Sequence, residues 1–303
     1  MKALKEKGFT LVELMVVIAI IGMLAAALTT LVPRVREMGS AARCKANLRN
    51  LAIAAQNWSL KEHDGSRHYP AAGSWESSWF NAKIQRQIYK SGDNDNWPDA
   101  WVSWTYGTTG TWPWRDIDNT TSWKDNMLVS RFDGERGYVS VTNGCLWEYV
   151  GKDISVYVCA SHKKVATENP EVKKLVRSYV MNGYFGWDSA DTKGKKAIDE
   201  VTLSGTASLR LMFAELPGLE RKEDKKGVDI SDRAIDGVLQ YDQGESIGFN
   251  HRAARKLVGH VAFVDGHVDT IIRPSPSDED LKKLTKALCE ATEIEREIRL
   301  KMR

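Results

Sequence analysis

The sequence predicts an α+β fold, with one long N-terminal helix packed on a head built around an antiparallel sheet. Three observations predict it. Phe9 to Val32 is apolar apart from Glu13 and the threonines Thr10, Thr29 and Thr30. Met38, Ala41, Cys44, Leu48, Leu51, Ala55 and Trp58 then recur at spacings of three and four, which is the period of one helix face. Near the other end, Asp265-Gly266 separates two β-forming runs, "GHVAFV" and "HVDTI", as a hairpin turn does.

The totals limit the function. A chain of 303 residues holds one large domain or two small ones, and a net charge of +3 gives no reason to propose nucleic acid. The four cysteines, Cys44, Cys145, Cys159 and Cys289, form no CxxC pair and no zinc-ligand spacing. Eleven tryptophans are many for this length, and most lie between Trp75 and Trp123.

The apolar run is long enough to cross a membrane. As a helix, Phe9 to Val32 would extend roughly 36 Å, against a bilayer core of about 30 Å. The basic segment "MKALKEKG" precedes it, and Arg34, Arg36 and Arg43 follow it, so charge alone does not orient the span. Glu13 is the anomaly, because a lone carboxylate in hydrocarbon costs on the order of 3 to more than 10 kcal/mol. A secretory signal cut after Ala27, or a plain signal anchor, leaves Glu13 unexplained.

"KGFTLVEL", Lys7 to Leu14, resembles the cleavage and methylation site of type IV prepilins and type II secretion pseudopilins. The resemblance implies that a prepilin peptidase cuts after Gly8 and that Phe9 becomes the N-methylated new N-terminus. It makes Glu13 the hallmark assembly residue. It also implies a bacterial inner-membrane protein, single-pass, with a cytoplasmic N-terminus and a head in the periplasm or in an extracellular filament. The partners would be identical or related pilin subunits, the prepilin peptidase, the assembly platform of a pilus or secretion system, and the lipid bilayer. Physically, Glu13 lies one helical turn from the Phe9 amine, and a paired charge is far less costly in lipid than two orphans. A carboxylate on one subunit can therefore neutralise the amine of the next. Gly22, Ala25, Ala26 and Ala27 would let neighbouring helices approach closely, although small residues are common in membrane spans.

The chain then divides into a leader, residues 1–8, a membrane segment, 9–32, and an amphipathic continuation of the helix, 33–60. Pro33 is expected to kink or unwind the helix at the membrane surface, with Gly39 a second weak point. A pilin-like head, 61–276, follows, with a Trp-rich insertion at about 73–124, and a C-terminal helix, 277–303, closes the chain. In that insertion the rings of Trp97 and Trp101 beside Asp and Asn could stack on sugar faces. The alternative, which the loop-rich sequence favours, is that tryptophans anchor long loops to the head. A membrane-anchored carbohydrate-binding protein, using the pilin-type leader only for export, is therefore the rival function.

Further along, Tyr138, Val139 and Val141 predict a short strand, "CLWEYVG" a helical turn or two, and "ISVYVCA" a strand. Cys145 and Cys159 are a candidate disulfide, which would add about 3 kcal/mol in the chain-entropy model; two buried thiols are the alternative. "CKANLRNLAIAAQNW", "RSYVMNGYFGW" and the stretch from His251 through "VAFVDGHV" also resemble segments of prepilin-like heads. Met181-Asn182-Gly183 reads as a turn, and "LRLMFAELPG" as a buried strand followed by a turn.

For the hairpin, pairing Val264 with His267 puts Val261, Phe263, Val268, Thr270 and Ile272 on one face, against the long helix. His260 and His267 are then roughly 13 Å apart and cannot share an ion. The last helix starts at Ser277, with Asp280 in a near capping box and a stripe of Leu281, Leu284, Leu288, Ala291, Ile294 and Ile298. It could dock on its own head or on a partner. No catalytic constellation or phosphate loop emerges, so the chain is read as a non-enzyme with no metal and no cofactor.

Overall fold

A computed structural model describes residues 10–61, 69–70, 72, 100–102, 134–166, 174–183, 185, 206–217, 223–224, 227–228, 237–239, 245–254, 256–274 and 278–292. Its longest element is α1, Leu11–Ser59, a single helix of 49 residues and about 74 Å. Pro33 lies inside it, and the helix continues without unwinding. Thr10 caps it: the Glu13 amide donates to the Thr10 hydroxyl, and the Thr10 amide donates to the Glu13 carboxylate.

The two halves of α1 have opposite surroundings. Large apolar side chains from Leu11 to Met38 are exposed, Leu11 and Met23 at 74%. Beyond Cys44 one stripe turns inward, and Cys44, Leu48, Leu51, Ala52, Ala55 and Trp58 are all buried. Met38, expected on that stripe, is 72% exposed, although its neighbour Glu37 already bonds Ser161, His251 and the Arg252 amide of the head.

The sheet has six strands in the order β5-β1-β2-β7-β6, with β8 on the other edge of β7. These are β1 Tyr179–Asn182, β2 Leu211–Glu215, β5 Val238–Leu239, β6 His251–Ala253, β7 Lys256–Phe263 and β8 Val268–Ile272. β3 Glu223–Asp224 and β4 Gly227–Val228 form a separate pair. All six-stranded pairings are antiparallel except β1 with β5. The protein is thus α+β, as the sequence predicts.

Strand alternation assigns the two faces. Tyr179, Phe213, Glu215, His251, Val258, His260 and Ala262 share a face, by their pairings across the sheet. That face meets α1, because Tyr179 and Glu215 both bond Cys44 and His251 bonds Glu37. Asn182 points the other way and donates to the Cys289 carbonyl at the end of α4, Asp278–Glu290. The C-terminal helix therefore docks on its own head, burying Leu281, Leu284, Leu288 and Cys289, with the Thr285 hydroxyl accepting from the Ile247 amide. It stops at Glu290, where Ala291 takes a left-handed φ of 56°. Ser277, Ile294 and Ile298 lie outside the described residues.

Several local expectations are corrected. The hairpin register is one residue off: Ala262 faces Val268, and the Phe263 amide donates to the His267 carbonyl. The loop is therefore Val264-Asp265-Gly266, and Gly266 takes the left-handed φ of 86° that a three-residue hairpin requires. A one-residue slip reverses every side chain. Val268, Thr270 and Ile272 accordingly share the α1-facing side with His260, while Val261 and Phe263 face away.

Tyr138, Val139 and Val141, read as a short strand, belong instead to α2, Gly134–Thr142, whose buried Gly137, Ser140 and Val141 follow helical spacing. Ile154–Tyr157 is a 3-10 turn rather than a strand, because the Asp153 carboxylate accepts from the Ser155 amide at 2.8 Å and caps it. It leads into α3, Ala160–Ala166. Met181 and Asn182 belong to β1 and not to a turn, the Asn182 amide being used to bridge the Leu211 and Cys289 carbonyls.

Leu48 is fully buried between helix and sheet, whereas Ile53 is 39% exposed on the same helix. Leu48→Ala should cost about 2–5 kcal/mol of stability, and Ile53→Ala under about 1 kcal/mol. Thermal unfolding of the two full-length variants in detergent, followed by tryptophan fluorescence, checks the order.

Candidate functional site

Two places combine unusual chemistry with defined geometry. The first is the start of α1. Glu13 Oε2 accepts from the Thr10 amide at 2.8 Å and from the Thr10 hydroxyl at 2.7 Å. The string "TLVE" carries the Thr-x-x-Glu signal of this capping box, so Glu13 is a helix cap as well as a charge in the apolar run. Both bonds fall on Oε2, and a carboxylate has room for more donors, so capping leaves Glu13 able to receive an amine. Gly8 and Phe9 lie outside the described residues. The helix behind Glu13 is the one described element long and apolar enough to cross a membrane.

The second place is where α1 enters the head. Asn47 is buried and donates its side-chain amide to the Ser155 and Val158 carbonyls at 2.9 and 3.1 Å. One turn earlier, Cys44 Sγ lies 3.0 Å from Glu215 Oε1, and the Tyr179 hydroxyl donates to the same sulfur at 3.3 Å. Cys159 Sγ lies 3.2 Å from His251 Nε2, which is itself 3.4 Å from Glu215 Oε1. The ligand atoms of Cys44, Cys159, Glu215 and His251 all fall within 4.8 Å of one another. Around them stand His260, whose amide donates to Glu215 Oε1 at 3.1 Å, and Asn250, whose side chain donates to Oε2 at 3.0 Å. His251 Nδ1 meets Glu37 Oε1 at 2.9 Å.

The charges here are tightly linked. Burial opposes ionisation of Glu215 and of His251, yet each stabilises the other's charge. Glu215 is held below the usual carboxylate range, and His251 is raised above the usual histidine range with further help from Cys159. Burial pushes the Cys44 thiol up, while its hydrogen bond to Cys159 draws that thiol down. Burial lowers His162 and His260 to about 4, so neither supplies a cation at pH 7.

This arrangement alters the cysteine reading. Cys145 and Cys159 are not bonded to each other, and no cysteine is in a disulfide. The Cys159 sulfur is turned to His251 and Cys44 instead. No spacing rule could reveal the group, because its members come from α1, the residue before α3, β2 and β6. A usable signal was Glu215, a carboxylate ending a fully buried strand.

Trp101 is corrected as a sugar-stacking residue. It is fully buried, stacked on Tyr157 at 6.0 Å and edge-on to Phe213 at 5.1 Å, and its Nε1 donates to the Gly237 carbonyl at 3.1 Å. A ring enclosed on its faces by the core cannot receive a sugar. Trp97 and most of the Trp-rich insertion lie outside the described residues. The rejected histidine pair also separates: His260 is buried beside Glu215, whereas His267 sits at the hairpin tip against Asp265.

The family described as the prokaryotic N-terminal methylation motif matches residues 4–29. No curated protein and no solved structure matches the chain. Residues 4–29 thus carry a prepilin-type cleavage and methylation segment that includes the start of the apolar helix, which points to a membrane-anchored protein.

Trp101→Phe keeps a ring in the core and removes one of two donors to the Gly237 carbonyl, which still accepts from the Met181 amide. It should cost about 0.5–1.5 kcal/mol for the lost hydrogen bond, and Trp101→Ala about 3–5 kcal/mol. Denaturation midpoints of the detergent-solubilised chain measure both.

Proposed function

We propose that the chain is a structural subunit of a type IV pilus-like filament or a type II secretion pseudopilus, built through α1. The observation that carries this reading is the unpartnered half of α1. It exposes apolar side chains all round from Leu11 to Val35, carries one acidic residue, Glu13, in its first turn, and runs without a break into a half that the head holds. A helix apolar on every side needs lipid or other apolar helices as its surroundings. A bilayer would store the subunit, and a bundle of identical or related helices would replace lipid with protein on assembly.

In this reading a prepilin peptidase cuts after Gly8, and the Phe9 amine is methylated. The amine then meets Glu13 of a neighbouring subunit, whose Oε2 still caps its own helix through Thr10. Adding a subunit in register neutralises two charges that are expensive apart. The chain crosses the inner membrane once, with the leader in the cytoplasm and the head in the periplasm or on the filament. The assembly platform of the secretion or pilus system extracts it. The function is mechanical, and it calls for no catalytic group.

N-terminal sequencing of the mature protein should begin at N-methylated Phe9; a chain beginning at Leu28 would exclude the assembly reading. Glu13 variants separate charge from capping. Glu13→Gln can still accept from Thr10 but carries no charge, whereas Thr10→Val loses the cap and keeps the charge. Electron microscopy of sheared surface material should find filaments lost with Glu13→Gln and retained with Thr10→Val. The opposite pattern would make Glu13 only a helix cap.

A further inference from the structure

We propose that Cys44, Cys159, Glu215 and His251 form a closed, four-ligand site for a zinc-class divalent metal ion that fastens α1 to the head. The proposal does not depend on how the subunit assembles. Two thiols, an imidazole and a carboxylate are the ligand types that tetrahedral zinc takes. With bonds of about 2.0–2.3 Å, such an ion sets its ligand atoms roughly 3.3–3.8 Å apart. Three of the ligand-atom pairs are 3.0, 3.2 and 3.4 Å apart and all lie within 4.8 Å, so closing on an ion needs side-chain shifts of at most about 1 Å. Thiolate ligands favour zinc over magnesium or calcium, which prefer all-oxygen sites.

The surroundings are those of a ligand shell. His251 can bind through Nε2 because its other nitrogen faces Glu37, which fixes the tautomer with Nδ1–H donating. The arginine amide of residue 252 and the Ser161 hydroxyl in turn donate to Glu37. Each anionic ligand also has a donor of its own: Tyr179 for Cys44, the His162 amide for Cys159, and His260 and Asn250 for Glu215. Binding displaces the protons held by the two thiols and by His251 Nε2. Two thiolates and a carboxylate then face a dication, leaving one net negative charge among four donors. All four ligands are at most 1% exposed, which leaves no open position for water and makes the site structural rather than catalytic.

The full-length protein, purified in detergent with reductant, should contain close to one zinc per chain by mass spectrometry of the metal. A strong chelator should remove the zinc and lower the melting temperature, and zinc chloride should restore both. Cobalt chloride added to the stripped chain should give thiolate-to-cobalt charge transfer in the near ultraviolet and tetrahedral bands in the visible. Cys159→Ser and His251→Ala should lower zinc content several-fold, and Glu37→Gln should weaken affinity about 10–100-fold. Cys145→Ser should change nothing. The proposal is overturned if the wild-type chain shows no thiolate–cobalt band, or if metal content is indifferent to Cys159 and His251. It is also overturned if intact mass shows a Cys44–Cys159 disulfide with no metal in protein taken from the cell envelope.

Discussion

A single unbroken helix has to satisfy two solvents, and the rest of the molecule follows from that constraint. Its first half is apolar on every side, and among the described residues nothing in the head covers it. Its second half is apolar on one stripe, and that stripe lies against the sheet. A helix keeps its backbone hydrogen bonds in either medium, so the transition needs no change of secondary structure. Even Pro33, which removes one backbone donor, sits where the helix passes between the two surroundings and does not end it.

Apolar packing alone would let the head slide along such a helix. The interface instead carries polar groups at chosen depths. Asn47 reaches two carbonyls of the segment around the 3-10 turn, and Gln56 donates to the Val264 carbonyl at the hairpin at 2.5 Å. Between sheet and helix, Glu215 is enclosed by His251, His260, Asn250 and Cys44. Buried polar groups stabilise only the arrangement that satisfies them, so each one penalises a shifted register. The opposite face of the sheet is covered by α4, whose Thr285 and Cys289 make the matching bonds there.

The parts of the fold that rest on long periodic patterns were legible in the sequence: α1, the buried strand at Leu211–Glu215, the hairpin and the last helix. What was not legible turned on single side chains. Asp153 overrode the β-branched alternation of "ISVY" by capping a tight turn. Gly266 added a third residue to a loop that Asp-Gly suggested would have two, and that residue reversed which face met the helix. The N-terminal motif was recognisable as a contiguous string. The cysteine, histidine and glutamate group was not, since its proximity exists only once α1 has been laid across β2 and β6. For Trp101 the sequence left a sugar-stacking ring and a loop anchor open while favouring the anchor, and its burial against Tyr157 and Phe213 bears that out.

The head holds α1 near Cys44 and again at Gln56, positions about 18 Å apart along the axis and about 120° apart around it. Two grips at different heights and azimuths resist twisting as well as tilting. Torque applied to the stem must then turn the whole globule with it, without slack. In the filament we propose, the angular pitch of the stems would be printed onto the outer surface, whose texture would read out how the stems are wound.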